Sequence, residues 1–321
     1  MDEDLAAHCH IVTRRLREGK VIPFLGAGVN LCGRPAGADW RQDGLLPSGQ
    51  ELADFLAESY AYPSTEGDDL LRVSQYVQAM TGGTVLYDEL RTLFARTYVP
   101  NAVHELLADL PRTMREDGVG PSSRQPLIVT TNYDDALEQA FDNAGEEYDL
   151  VTYVARGDQR GKFLHRPPGG EPRLIDPPNT YRELSLDRRT VIMKIHGAVD
   201  RANPDGDSFV ITEDHYIDYL AQSDISNIIP AALMAVMNES HFLFLGYRLG
   251  DWNLRVILQR IWGHQPFEEK FTSWAIQNAP SKLEERLWRR RNVEILAVDL
   301  ADYVEALRLG GVRPRDDAGE T

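Results

Sequence analysis

Four short apolar runs, each closing on glycine or on a polar pair, constrain this chain more than any other feature. They are VIPFLGAG at 21–28, PLIVTTNYD at 126–134, TVIMKIHG at 190–197 and HFLFLGY at 241–247. Runs of this length, rich in β-branched and aromatic residues and bounded by turn formers, read as strands buried on both faces. Helical periodicity fills the intervals: residues 4–18, 134–145, 225–238, 281–291 and 303–309, with Asp251 placed to cap a helix through 262. Further strands are expected at 273–277 and 293–298, and a hairpin turning near 157–161. Strands alternating with helices predict an α/β fold, a Rossmann-like doubly wound parallel sheet.

Between the first two runs the pattern changes. Ser48 and Glu51 make a capping box, S-x-x-E, and helical spacing continues at 69–79, 85–96 and 102–109 without a strand signal. This predicts a helical insertion subdomain over about 48–110. A hairpin and loop insertion covers about 149–182. The whole reads as one nucleotide-binding domain over 1–310, with 311–321 as a tail.

Composition excludes several classes. Fifty acidic against 34 basic residues give a formal charge of −16 over 321 residues. Such a surface repels phosphate backbones, so direct nucleic-acid binding is not expected. The longest apolar runs fall well short of the ~20 residues needed to cross a bilayer. The acidic start, MDEDLAAHCH, lacks the apolar core of a secretory signal, and a cytoplasmic location is expected. Two cysteines, Cys9 and Cys32, cannot build a disulfide scaffold or a four-cysteine zinc site.

In an open parallel sheet, ligands bind beyond the carboxyl ends of the strands. The residues to weigh are therefore Gly26, Ala27, Gly28 and Asn30; Thr131, Asn132 and Asp134; His196; Gly246, Tyr247 and Asp251. Gly26 and Gly28 serve either a phosphate-holding turn or a turn that packing alone demands. The full G-x-G-x-x-G pattern fails at Leu31, and there is no Walker P-loop. Asn132 reads first as a turn residue or cap, and otherwise as a neutral amide able to orient a water or a sugar hydroxyl. Asp134 or Asp135 is an obvious cap, and Asp251 caps the helix after it. His196 ends a strongly apolar strand, and an imidazole with an ordinary pKa near 6.5 suits general-base work there. The remaining histidines lack the spacing of a metal site.

Taken in order, GAGVN, TTNYD, KIHG and FLGYRLGDWN resemble the sirtuin family, and more closely the bacterial sirtuin-like NADases of antiphage defence. In sirtuins, GAG-x-S holds the NAD pyrophosphate, which implies that role for Gly26, Ala27 and Gly28, with Asn30 at the serine position. The T-Q-N-x-D element falls on Thr130 to Asp134, with Thr131 in place of glutamine, and the H-G pair falls on His196 and Gly197. Sirtuin deacylases carry a zinc module of paired cysteines, and this sequence has no C-x-x-C, so no zinc module is expected. The resemblance implies hydrolysis of NAD to nicotinamide and ADP-ribose, with NAD as substrate and no added cofactor. Asn132 and His196 are then the catalytic pair, and Gly26, Ala27, Gly28, Asn30, Thr131, Asp134, Gly246, Tyr247 and Asp251 line the nucleotide. It also implies gating by assembly, as a homo-oligomer or with a partner such as a HerA-type ATPase. A deacylase, an ADP-ribosyltransferase or a non-catalytic NAD-binding scaffold would share many of these motifs.

Overall fold

The computed structural model describes residues 3–63, 69–116, 124–221, 228–247, 258 and 272–310. Asp251, all but Leu258 of the helix expected after it, and the tail from 311 lie outside the described residues.

The four apolar runs become β1 (Val21–Leu25), β2 (Leu127–Thr130), β6 (Thr190–Lys194) and β7 (His241–Leu245). With β3 (Tyr148–Tyr153), β4 (Phe163–Arg166), β5 (Arg173–Leu174), β8 (Ser273–Gln277) and β9 (Val293–Ala297) they form one sheet, ordered β5-β4-β3-β6-β2-β1-β7-β8-β9. From β3 to β9 every neighbouring pair is parallel, whereas β4 and β5 add antiparallel, as the hairpin signal predicts. The fold is thus the Rossmann-like α/β architecture read from the sequence. Pro23 sits inside a buried strand and has no N–H to offer β2. Odd-numbered residues of β1 face β2, as the bond from the Thr131 N–H to the Leu25 carbonyl shows, and β2 pairs with β1 only from Phe24 onward.

The two-residue period of a strand sends alternate side chains into two cores. Ile22, Phe24, Val129, Met193 and Phe244 face one side. That side is covered by α7 (Glu213–Ala221), α8 (Ala231–Asn238) and α9 (Lys282–Arg289), through Tyr216, Leu233, Met237 and Trp288. Val21, Leu25, Ile128, Ile192 and Leu245 face the other. There they meet α1 (Glu3–Arg17), α5 (Ala102–Glu116), α6 (Ala136–Ala144) and α10 (Leu300–Gly310), through Val12, Leu107, Phe141 and Val304.

A third core joins α2 (Gly49–Ser59), α3 (Leu70–Thr81) and α4 (Gly83–Phe94), around Leu56, Val77, Leu90 and Phe94. Of the helices grouped by pattern over 48–110, these three share a core with Tyr133, Phe209 and Ile211, whereas α5 turns its apolar stripe to the sheet. Periodicity reveals that a helix has a buried face but not which partner buries it. The Ser48–Glu51 capping box opens α2 as read, its hydroxyl accepting from the Glu51 N–H and its own N–H donating to the Glu51 carboxylate. Among the described residues no helix is long and apolar enough to cross a membrane.

Candidate active site at the strand ends

Sheet register sets the geometry. Leu25 pairs with Thr130 and with Leu245, and Thr130 pairs with Lys194, so β1, β2, β6 and β7 end level. The ladder runs one step further, with the N–H groups of Gly26, Thr131 and Ile195 donating to the carbonyls of Leu245, Leu25 and Thr130 at 3.0–3.1 Å. Gly26, Asn132, His196 and Gly246 therefore leave the sheet at one end. The chain steps from β1 to β2 on one side and later reaches β7 on the other, which makes this end a topological switch point.

The glycines have a packing cause. A Cβ on Gly28 would lie 2.6 Å from the Gly246 carbonyl oxygen, and one on Gly26 2.6 Å from the Tyr247 ring. Gly246 has φ +67°, and a Cβ there would meet the Val29 nitrogen at 2.1 Å. The Gly28 N–H donates to the Gly246 carbonyl (2.9 Å), so that amide is already engaged within the protein. Ala27 begins a short 3-10 turn, Ala27–Leu31. At its far end Asn30 donates from Nδ2 to the Pro47 carbonyl (2.8 Å), while its Oδ1 is buried without a partner. Tyr247 packs edge-on to Phe24 and donates its hydroxyl to Thr131 Oγ1 (3.0 Å), tying the β7 exit to the β2 exit.

Asn132 is 7% exposed, and its N–H donates to Thr130 Oγ1 (3.0 Å), which fixes the turn. Its side-chain oxygen Oδ1 is buried with no hydrogen-bond partner. A buried acceptor left unpaired costs about 1–3 kcal/mol, a cost that a bound hydroxyl or water removes. Asp134 is buried, and its Oδ1 accepts from the Ala136 N–H (3.1 Å) at the start of α6, whose cap position is Asp135, without a side-chain cap bond. Asp135 pairs with Arg201. Beneath this turn Lys194, fully buried, donates to the Asp134 carbonyl and to Glu138 Oε1 (2.7 Å).

His196 is 3% exposed. Burial lowers its pKa from 6.5 to about 3, so the ordinary value assumed from sequence does not hold and the ring is neutral throughout the physiological range. The following glycine is required, since Gly197 has φ +82° and a Cβ there would sit 2.2 Å from the Ser208 carbonyl oxygen. The loop folds back along itself, Ser208 N–H donating to Ala198 and Val210 N–H to the His196 carbonyl (2.9 Å). The Val210 carbonyl in turn accepts from the Tyr133 hydroxyl (2.7 Å), and Val199 N–H donates to the Tyr133 carbonyl (3.0 Å). One backbone unit thus holds the neighbour of Asn132 and the carbonyl of His196 together. The helices of the third core hold the same loop: Arg91 donates to both carboxylate oxygens of Asp207 (2.9 Å) and Tyr87 to the Phe209 carbonyl (3.2 Å).

Gly26, Ala27, Thr131, Asn132, His196, Gly246 and Tyr247 therefore gather at one end of the sheet. Asn30 sits at the edge of the group, and Asp134 is engaged with the first N–H of α6. Tyr216, whose hydroxyl lies 3.2 Å from His196 Nδ1, was missed in the sequence. Its helix had a readable start: Thr212 Oγ1 accepts from the His215 N–H, and Glu213 and Asp214 fill the first turn. Among the described residues no group of three or more His, Cys, Asp or Glu is placed to hold a metal ion.

Comparison with known proteins identifies the family. The profile of the SIR2-like domain family matches residues 126–296, which include β2, the Asn132 turn, β6, His196 and β7. The chain is 22% identical over 313 residues to the defense-associated sirtuin 2 of Bacillus subtilis, covering 95% of this chain and 26% of that protein. It is 29% identical over 255 residues to the NAD(+) hydrolase ThsA of Acinetobacter baumannii, covering 78% of this chain and 41% of that one. It is 24% identical over 248 residues to the NAD(+) hydrolase ThsA of Cytobacillus dafuensis, covering 77% and 39%. The chain thus spans between 26% and 41% of the length of these curated relatives.

Proposed function

Because the chain belongs to the SIR2-like domain family, we propose that it is a NAD+ glycohydrolase, cleaving the nicotinamide–ribose bond to give nicotinamide and ADP-ribose in antiphage defence. The relatives named as NAD(+) hydrolases and as a defence-associated sirtuin support this reading. The observation that carries it is the pair at the switch point: an unpartnered, buried Asn132 oxygen and a neutral His196, held in register through Val210.

The bond chemistry suits that pair. Nicotinamide leaves as a neutral molecule from a cationic link, so departure needs no general acid, and the transition state is oxocarbenium-like. Attack by water on such a centre makes the water acidic as the bond forms, so a weak base is enough to receive the proton. In this proposal Asn132 orients the water or the ribose hydroxyls and His196 receives the proton. Gly26 and Gly246 let the exits of β1 and β7 pack closely beside the dinucleotide, Ala27, Thr131 and Tyr247 line it, and Asp134 holds the Asn132 turn by accepting from the first N–H of α6. NAD is the substrate and no other cofactor takes part. An ungated enzyme of this kind would empty its own cell of NAD, so activity is switched by assembly, either as a homo-oligomer or with a partner such as a HerA-type ATPase.

The test is to incubate the purified protein, alone and in its assembled forms, with NAD and to follow nicotinamide and ADP-ribose by chromatography. Equimolar products without any acylated peptide or protein acceptor are expected. Asn132→Ala and His196→Ala are each expected to lose about two to three orders of magnitude in rate while staying folded. Release that required an acyl or protein acceptor, or nucleotide left intact in every assembly, would overturn the proposal in favour of a transferase or a binding subunit.

A further inference from the structure

We propose that Tyr216 is a positioning residue for His196: its hydroxyl accepts a hydrogen bond from Nδ1–H and so leaves Nε2 as the ring's proton acceptor. This rests on the reading of His196 given above, but the contact between the hydroxyl and the ring is visible without any substrate. A neutral imidazole has one N–H donor and one bare nitrogen, and a phenol hydroxyl can accept from the first or donate to the second; in this proposal it accepts. The Tyr216 oxygen lies 3.2 Å from Nδ1 and 3.5 Å from Nε2, so Nδ1 is the nearer. A phenol takes the place that a carboxylate holds in a Ser-His-Asp triad, which suits a ring whose burial disfavours the charged form.

Packing holds the ring in that orientation. Tyr216 meets the imidazole edge-on at 5.1 Å, and Tyr219, one turn further along α7, does so at 6.0 Å. Tyr216 is itself 6% exposed, so bulk water does not compete for the bond. The same stretch of chain holds the histidine backbone, because Val210 N–H donates to the His196 carbonyl and Thr212 caps the helix that brings Tyr216 in. Both the main chain and the side chain of His196 are thus positioned from residues 210–219, a segment that follows β6 by a single loop.

The experiment is Tyr216→Phe, which keeps the ring and removes the oxygen. Two readouts are needed. The first is the imidazole 15N spectrum of the ligand-free protein at neutral pH, with His196 assigned by its loss in His196→Gln. The wild type should show the Nδ1–H tautomer, and the variant a mixture or the Nε2–H form. The second is steady-state NAD cleavage. Here kcat should fall about three- to tenfold, the effect of one hydrogen bond, while KM should change less than about twofold if the phenol acts only through the imidazole. A wild-type Nε2–H tautomer, or a variant spectrum identical to the wild type, would overturn the assignment. If Tyr216→Phe failed to fold, the wild-type spectrum alone would still decide it. If the wild type cleaved no NAD, the proposed function would fail while the tautomer measurement still decided this inference.

Discussion

Replacing Lys194 by methionine removes an ammonium group from the interior directly beneath the Asn132 turn. Lys194 is 1% exposed and donates to Glu138 Oε1 at 2.7 Å and to the Asp134 carbonyl. Glu138 is buried as well, and its Oε2 has no partner. Burial pushes the Glu138 carboxyl above its ordinary range, and Lys194 opposes that push. Without the ammonium, an uncompensated carboxylate remains, at a cost of about 3–5 kcal/mol. The pH dependence has a definite sign. A carboxyl whose folded pKa is raised above its unfolded value, about 4.3, binds more protons in the native state. Stability is then lost as pH rises through the raised pKa. Urea unfolding of Lys194→Met should therefore show the full loss at pH 8 and a smaller one at pH 5.5. The double variant Lys194→Met/Glu138→Leu, with both charges gone, should regain most of it. A loss below about 1 kcal/mol at pH 8, or a double variant no more stable than the single, would refute the reasoning.

Other perturbations read out neighbouring parts of the account. Gly197→Ala combines left-handed strain of about 1–2 kcal/mol with a clash against Ser208 that must be relieved by moving the loop. A lower melting temperature and reduced nicotinamide release are expected, and wild-type values for both would contradict the loop assignment. Tyr133→Phe strips the Val210 carbonyl of its donor and should cost about 1–3 kcal/mol in urea unfolding, with slower NAD cleavage. His196 has a folded pKa of about 3 against an ordinary 6.5. The unfolded chain therefore binds the proton first as pH falls, and up to about 1.4 kcal/mol per pH unit is lost between 6.5 and 3. Urea midpoints from pH 7 to 4 should fall less steeply in His196→Gln, and an unchanged slope would argue that the ring is not buried neutral.

The parallel strands were legible because burial on both faces leaves an uninterrupted apolar run, as in HFLFL of β7 and TVIMK of β6. The site's location followed from the same runs, since register makes their ends level. What stayed hidden depends on which partner a residue finds. Gly28 in a GAG turn looks the same whether its amide faces a phosphate or, as here, the Gly246 carbonyl. Asp134 could face a sugar or serve the start of α6, and only the fold shows its bond to the Ala136 N–H. The imidazole of His196 carries no mark of burial in the sequence, so its pKa could not be read there. Tyr216 reaches His196 only because the chain from Gly197 to Thr212 doubles back, a long-range event set by Gly197 and by the helices around Phe209.

The most direct test of the account is a double-mutant cycle on nicotinamide release, comparing Asn132→Ala, His196→Ala and the two combined. If the carboxamide and the imidazole act on one bound NAD in one step, their effects are strongly non-additive, and the double variant is scarcely slower than the slower single. Losses that simply multiply would show that the two side chains work independently and would contradict the site described here.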